Sequence, residues 1–299
     1  MHLIVPFAAP MSEAGREALA MLTLPRLERW LAAAEPHARD DGDEWTPVPP
    51  HERALARALG WPADLQARPP WAARDARADG IEVGARAWGL LTPVHWRVGA
   101  ESVHLTDPST LALDEAPSRA LFDAVRPWFE SEGFALAWGA PLRWYASHPS
   151  LEHLATASLD RVIGRNVDRW LPGQPGARLV RRLQNEVQML LYTHPLNAER
   201  EAAGLVPVNS FWLSGCGVGR ADAGPAPRLQ PRLRSPALAG DWAAWRDAWV
   251  AIDCDGWEGV TLLTLCGERS AISLRPTRRS LWQRLTARHA GAGALIASL

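Results

Sequence analysis

Two strand-like hairpins stand on either side of one amphipathic helix in the middle of this sequence. Thr92–Val98 and Glu101–Thr106 alternate between apolar and polar residues and flank Gly99-Ala100, a Gly-first dipeptide suited to a two-residue type II′ turn. That register sets Val98 opposite Glu101, Trp96 opposite Val103 and His95 opposite His104. Val94, Trp96, Val98, Val103 and Leu105 then share one face, and His95, Arg97, Ser102, His104 and Thr106 the other. Asp114–Phe129 follows with Leu121, Val125, Trp128 and Phe129 along one side of a helix, and Phe134–Trp138 with Leu142–Tyr145 make a second strand pair. Hairpin, helix and hairpin predict antiparallel hairpins packed with helices, an α+β arrangement in a mixed α/β chain.

The rest of the sequence surrounds this centre with further elements. Leu3–Phe7 reads as a short buried strand, and Ala14–Leu22, Leu27–Ala34 and Glu52–Leu59 as helices. Glu35–Pro50 and Pro62–Gly80 read as loops from their Asp, Pro and Arg content. Helical spacing returns at Ser158–Trp170 and Ala177–Tyr192. A short helix over Asn197–Ala203 is closed by Gly204, and Val206–Leu213 is a strand running into a glycine turn. Beyond a Pro- and Arg-rich stretch, Ala221–Pro236, come a Trp-striped helix (Trp242, Trp245, Trp249), a strand pair Val260–Cys266 and Ser270–Leu274, and a final helix over Arg278–His289. The stripe suits either a dimer seam or the core. Composition shifts divide the sequence into residues 1–80, 81–220 and 221–299, and 299 residues equally suit one large domain.

Charge and composition exclude several classes of function. The net charge of −1 provides no field for nucleic acid or an anionic membrane, and no run approaches a bilayer span. All 32 basic residues are Arg, so lysine chemistry is absent while fork-like recognition of anions is plentiful. The 16 Trp, without a basic groove, point to core or interface rather than base stacking. Three scattered cysteines and a first segment too short for a signal sequence point to the cytoplasm.

Each candidate for chemistry has a plainer structural counterpart. Gly215-x-Gly217-x-Gly219 follows a strand, but no helix follows it, so it is a strand-exit turn before it is a phosphate loop. Ser214 lacks the glycine two positions earlier that a nucleophile elbow requires. His148 and His153 have the wrong spacing for a zinc helix, and Asp253, Asp255 and Glu258 read as turn residues. His95, Arg97 and His104 would meet across the first hairpin, as an anion or metal site or as a solvated sheet face. The densest polar stretch holds Arg181, Asn185, His194, Asn197, Arg200, Asn209, Ser214 and Gly217. Arg forks with amide and imidazole donors suit a phosphate or carboxylate, and the same residues suit the capping of two helices. No cofactor or metal is indicated by these spacings.

Arg-Leu-Gln-Asn-Glu-Val-Gln-Met-Leu-Leu-Tyr-Thr-His-Pro-Leu-Asn-Ala-Glu-Arg, continuing to Val-Asn-Ser-Phe-Trp-Leu-Ser-Gly-Cys-Gly, resembles a proteobacterial family of phosphoglycerate mutase-like proteins, also labelled regulatory protein RpfE. The resemblance covers residues 85–220 and is specific over 178–217. A weaker similarity links it to archaeal-type cofactor-independent phosphoglycerate mutases through His194, Asn197, Arg200, Asn209 and Gly217. It implies a degenerate fold of the alkaline phosphatase superfamily. That superfamily uses two metals, a serine nucleophile, an Asp after the first strand and downstream Asp and His ligands. Here Ala-Ala-Pro follows the first strand, and His289 is the one histidine after Gly219. The resemblance therefore implies a mutase-like protein without the two-metal site, a regulatory protein that binds a small phosphorylated or carboxylate ligand or a protein partner. The alternative is a mutase- or phosphatase-class enzyme with a different site.

Overall fold

The computed structural model describes residues 1–99, 101–174, 176–277 and 291–299, so the expected final helix over Arg278–His289 lies outside the described residues. The chain forms two units, one from Met1–Gln66 with Asp222–Leu299 and the other from Ala67–Ala221. The first opens with β1 (His2–Val5), α1 (Glu13–Ala20), α2 (Pro25–Leu31), β2 (Ala34–Asp40), α3 (Pro50–Ala58) and the short α4 (Ala63–Ala67). The strand β2 replaces part of the loop expected at Glu35–Pro50. It is an exposed edge strand, and its Asp and Pro content gives no core-facing alternation to read.

The second unit contains α5 (Trp71–Ala78), β3 (Ala87–Val94), β4 (Trp96–Val98), β5 (Val103–Leu105), α6 (Glu115–Glu130), β6 (Ala135–Ala140), β7 (Arg143–Ser147), α7 (Leu159–Val162), α8 (Ala177–Tyr192), α9 (Pro195–Ala202) and β8 (Ser210–Val218). Its main sheet has the order β6-β7-β3-β8 and is antiparallel throughout. On one face, Leu121, Phe122, Val125 and Phe129 of α6 and Val180, Leu183, Val187 and Leu191 of α8 bury against Leu91, Trp144, Phe211 and Leu213. Each such side chain contributes about 1.5–3 kcal/mol. The indoles of Trp138 and Trp144 both donate to Ser118 Oγ, at 3.2 and 3.0 Å, so large rings are buried without stranding a donor. On the other face, Ala72, Ala73 and Ala76 of α5 pack on Trp88 and Tyr145. This helix stands where a loop was expected, because its apolar side is made of Ala alone. Ser158–Trp170 is one short helix and a 3-10 turn, broken at Gly164, whose φ is +75°.

The chain then returns to the first unit with β9 (Arg228–Leu229), α10 (Arg234–Ala239), α11 (Trp242–Asp255), β10 (Leu262–Cys266), β11 (Ala271–Pro276) and α12 (Ala292–Ala297). The sheet order is β2-β11-β10-β1-β9, with β1 parallel to β10 and β9 and the other pairs antiparallel. Alternation sends Leu3, Val5, Leu263, Leu265, Ile272 and Leu274 to one face, against Leu27, Trp245, Trp249, Ile252 and Ile296. Trp245 and Trp249 are fully buried and donate to the carbonyls of Phe7 and Ala8 at 2.9 and 3.2 Å. Those two rings of the stripe are thus core. On the opposite face, Ala54 and Leu55 of α3 cover Ile4, Cys266 and Ala271. No helix of the described residues is long and apolar enough to cross a membrane.

Candidate functional site

The polar residues of 178–217 do not converge. Arg181 and Asn185 lie on the exposed side of α8, opposite the buried Val180, Leu183 and Gln184. His194 is the N-cap of α9, where Nδ1 accepts from the Leu196 amide at 3.2 Å. Asn197 is buried and donates to the carbonyls of Leu191 (2.8 Å) and Val208 (2.7 Å), while its Oδ1 accepts from the Val208 amide (2.9 Å). One side chain thus ties the end of α8 to the chain entering β8. Arg200 is likewise buried and donates to the carbonyls of Val206 and Leu111, and burial lowers its proton affinity. Asn209 accepts from the Trp96 amide at 2.7 Å and donates to its carbonyl at 2.9 Å, continuing the ladder in place of backbone. Ser214 is buried within β8 opposite Leu90.

The first hairpin also departs from its expected register. Val98 pairs with Val103 and Arg97 with His104, and Gly99 N–H donates to Ser102 C=O at 2.8 Å. The shift is two residues, so the faces keep their composition while the cross-strand partners change. His95 and His104 therefore do not meet. His95 Nδ1 lies 2.9 Å from Pro207 O, and His104 contacts Ser102 Oγ at 2.8 Å and Gly164 O at 3.2 Å. Arg97 is exposed.

The glycines are a helix seat, Gly215 and Gly217 within β8 and Gly219 just beyond its end, rather than a turn leaving the strand. The strand runs through to Val218, with a register shift opposite Trp88 and Leu90. Gly215 has φ +63°, and a Cβ there would stand 2.9 Å from Ala72 N. A Cβ on Gly217 (φ +146°) would meet Pro70 at 3.0 Å, and one on Gly219 would meet Ala73 at 3.0 Å. The three positions admit the first turns of α5. The acidic trio after α11 is also structural in part. Asp253 accepts the Arg26 and Leu27 amides (3.0 and 2.6 Å) at the start of α2 and the Trp257 indole (3.0 Å), while Asp255 pairs with Arg232.

Two clusters escaped the sequence reading. In the second unit, Asp79 at the end of α5 receives Arg143 Nε and Nη2 at 2.9 and 2.8 Å and Tyr145 Oη at 2.6 Å. Hydrogen bonds from Arg143 hold the Asp79 carboxyl below its ordinary range. The Arg143 guanidinium is raised by Asp79, and burial raises the Tyr145 phenol. One turn earlier, burial pushes Asp75 up to about 6, against the pull of Arg74 and Arg143.

In the first unit, the part of the sheet face that α3 leaves uncovered is the floor of a cavity of about 890 Å³. His2, Thr264, Ser273 and Arg275 line it from β1, β10 and β11, with Arg57 and Ala58 of α3, Pro225 and Ala226 also in the lining. His2 Nε2, Thr264 Oγ1 and Ser273 Oγ form a chain with links of 2.9 and 2.9 Å. The register of β11 with β2 shifts after Ser273, skipping His37. That bulge allows the consecutive residues His37 and Ala38 both to line the cavity. Arg275 Nη2 donates to His37 Nε2 at 3.3 Å, and burial lowers His2, favouring its neutral form. The described lining thus holds two Arg, two His and several hydroxyls, and no Asp or Glu. The period-2 polar positions of β10 and β11 are visible in the sequence, but which stretch of that face stays uncovered is not. Among the described residues, no group of three or more His, Cys, Asp and Glu is placed to hold a metal ion.

No protein-family model matches the chain, and no curated protein matches it in sequence. Among solved structures it is distantly similar to the cofactor-independent phosphoglycerate mutase from Thermoplasma acidophilum, with 13% identity and a TM-score of 0.39 over 99% of this chain and 94% of that one. It is also similar to the PH0037 protein from Pyrococcus horikoshii, with 11% identity and a TM-score of 0.43 over 91% and 86% of the two chains.

Proposed function

We propose that this protein binds a small phosphorylated or carboxylate ligand in the cavity over the β1–β10–β11 sheet face, as a regulatory or ligand-sensing protein without two-metal phosphoryl transfer. The observation that carries the reading is the charge of the lining: among the described residues it holds two guanidiniums, two imidazoles and a row of hydroxyls, with no carboxylate. In a chain holding 33 acidic residues against 32 basic ones, such a lining selects anions. The stretch around Arg200, Asn197 and Asn209 is a weaker candidate, since these side chains already bond to backbone. The regulatory reading accords with the sequence resemblance of residues 178–217. Three free thiols suit a reducing compartment, in keeping with a cytoplasmic protein.

The test is a thermal-shift series with phosphoglycerates, nucleotides and dicarboxylates at constant ionic strength, on the native protein and on Arg275→Ala. Saturable stabilisation that Arg275→Ala abolishes is the expected result. If no anion raises Tm beyond the effect of chloride, the cavity is not a ligand site. Turnover of a phosphoglycerate or phosphate ester in the same samples would favour the enzymatic alternative.

A further inference from the structure

Arg57 of the cavity lining belongs to a group of three charged side chains that is out of balance. Asp40, on β2, receives Arg53 through Nε at 3.1 Å and Nη2 at 3.3 Å, and Arg57 through Nη2 at 2.8 Å. One carboxylate therefore serves two guanidiniums, four residues apart on α3. The two arginines differ in every other respect. Arg53 is buried, and Nη1 donates to Val48 O at 2.7 Å, so all of its nitrogens are engaged in holding the loop and β2 to α3. Arg57 is 41% exposed in its side chain and lines the cavity. It holds Asp40 by one nitrogen and reaches Gln66 Oε1 at 3.3 Å, and its Nη1 has no hydrogen bond among the described residues.

We infer that Asp40 is an internal anion that occupies Arg57 while the cavity is empty, and that a bound anion takes Arg57 in its place. This rests on the reading of the cavity as an anion site and adds how that site is regulated. The exchange is physically cheap for one reason: Asp40 keeps the Arg53 fork throughout, so no buried charge loses its partner. The ligand gains Arg57 beside Arg275, and its affinity is reduced by whatever the Asp40–Arg57 contact contributes. That contact is open to solvent on the Arg57 side and rests on one nitrogen, so the reduction is small, about two- to fivefold. Folding and binding are thereby divided between neighbouring arginines, with Arg53 serving the first and Arg57 the second.

The experiment titrates the intact protein with inorganic phosphate at constant ionic strength and follows the side-chain Nε–Hε signals of Arg53 and Arg57 by NMR. The Arg57 signal is expected to move and saturate while that of Arg53 stays in place. Isothermal titration of Asp40→Asn should give a Kd two- to fivefold lower than that of the unaltered protein, and Arg57→Gln should lose binding. If phosphate binds but the Arg57 signal does not move, or if folded Asp40→Asn binds no more tightly, the exchange is refuted and the cavity reading stands. If phosphate perturbs no residue of the cavity, both are refuted. The signals of the unaltered protein decide the matter even where Asp40→Asn fails to fold for want of the Arg53 partner.

Discussion

Asp75→Asn should stabilise the protein, and the gain should grow with pH. Asp75 sits on α5, where burial raises its carboxyl to about 6, well above the ordinary carboxylate range. A raised carboxyl contributes its stability below the unfolded value and loses it as pH climbs towards the folded one. Between roughly pH 3.8 and 6 the unfolded chain has released this proton and the folded chain has not, so folding becomes less favourable by about 1.4 kcal/mol per pH unit. Above pH 6 the penalty levels off near 3 kcal/mol, and at pH 5 about half of it is already present. Asparagine keeps the shape and removes the charge, so it should recover up to about 3 kcal/mol at pH 8 and roughly half as much at pH 5. Asp79→Asn, one turn later, should act in the opposite sense. Its carboxylate accepts two bonds from Arg143 and one from Tyr145, and its loss weakens the hold on the hydroxyl of a buried tyrosine and on a guanidinium. Urea denaturation of the three proteins at pH 5, 6.5 and 8, read through hydrogen exchange of α5 and β7 amides, measures both effects. A destabilising Asp75→Asn, or a gain that is the same at pH 5 and pH 8, would show that Asp75 is ionised at no cost in the folded state.

Three further outcomes follow from the geometry. Gly215→Ala should lower stability by about 2 kcal/mol or more in a thermal melt, since it combines a φ of +63° with a Cβ pressed on Ala72 N; an unchanged Tm would mean that α5 is not seated there. Asn197→Ala leaves two buried carbonyls and an amide without their partner and should cost about 3 kcal/mol in chemical denaturation. It should leave anion affinity in the β1–β10–β11 cavity unchanged. A thiol reagent should label Cys254 alone in the native protein, because Cys216 and Cys266 are buried, and burial pushes Cys216 up to about 12; denaturant should expose all three.

The elements were legible where a helix or strand has one apolar side and a sharp end. The helix Ala177–Tyr192, the pair Leu262–Cys266 and Ala271–Pro276, and the hairpin Ala135–Ser147 follow from periodicity, since each buries large residues at regular intervals. Trp71–Ala78 was not legible, because Ala72, Ala73 and Ala76 bury a helix face without large apolar residues to announce it. The seat for that helix was visible as Gly-x-Gly-x-Gly, and only the partner at 3 Å distinguishes a seat from a phosphate loop. On spacing alone His194 and Asn197 read as caps before they read as ligands, and the hydrogen bonds they form are local, within and beside α9. Arg57, His37 and Arg275 come from one helix and two strands far apart in sequence. Nothing in the local pattern of any one of them points to the other two.

The first unit's sheet inserts β1 between β9 and β10, strands encoded at the far end of the chain. During synthesis, β1 must therefore wait until its partners, which end at Leu229 and Cys266, have been made, whereas Ala67–Ala221 is continuous and able to fold as soon as it emerges. Closing an unstructured loop of roughly 150 residues would oppose that late pairing by about 4 kcal/mol. The close seating of α5 on β8 removes much of this cost, because Pro70 near the start of the segment packs on Gly217 near its end. Once folded, the middle of the chain presents its two ends side by side and acts as a short tether. Loosening the Gly215–Gly219 seat should then slow the assembly of a sheet that contains none of those residues.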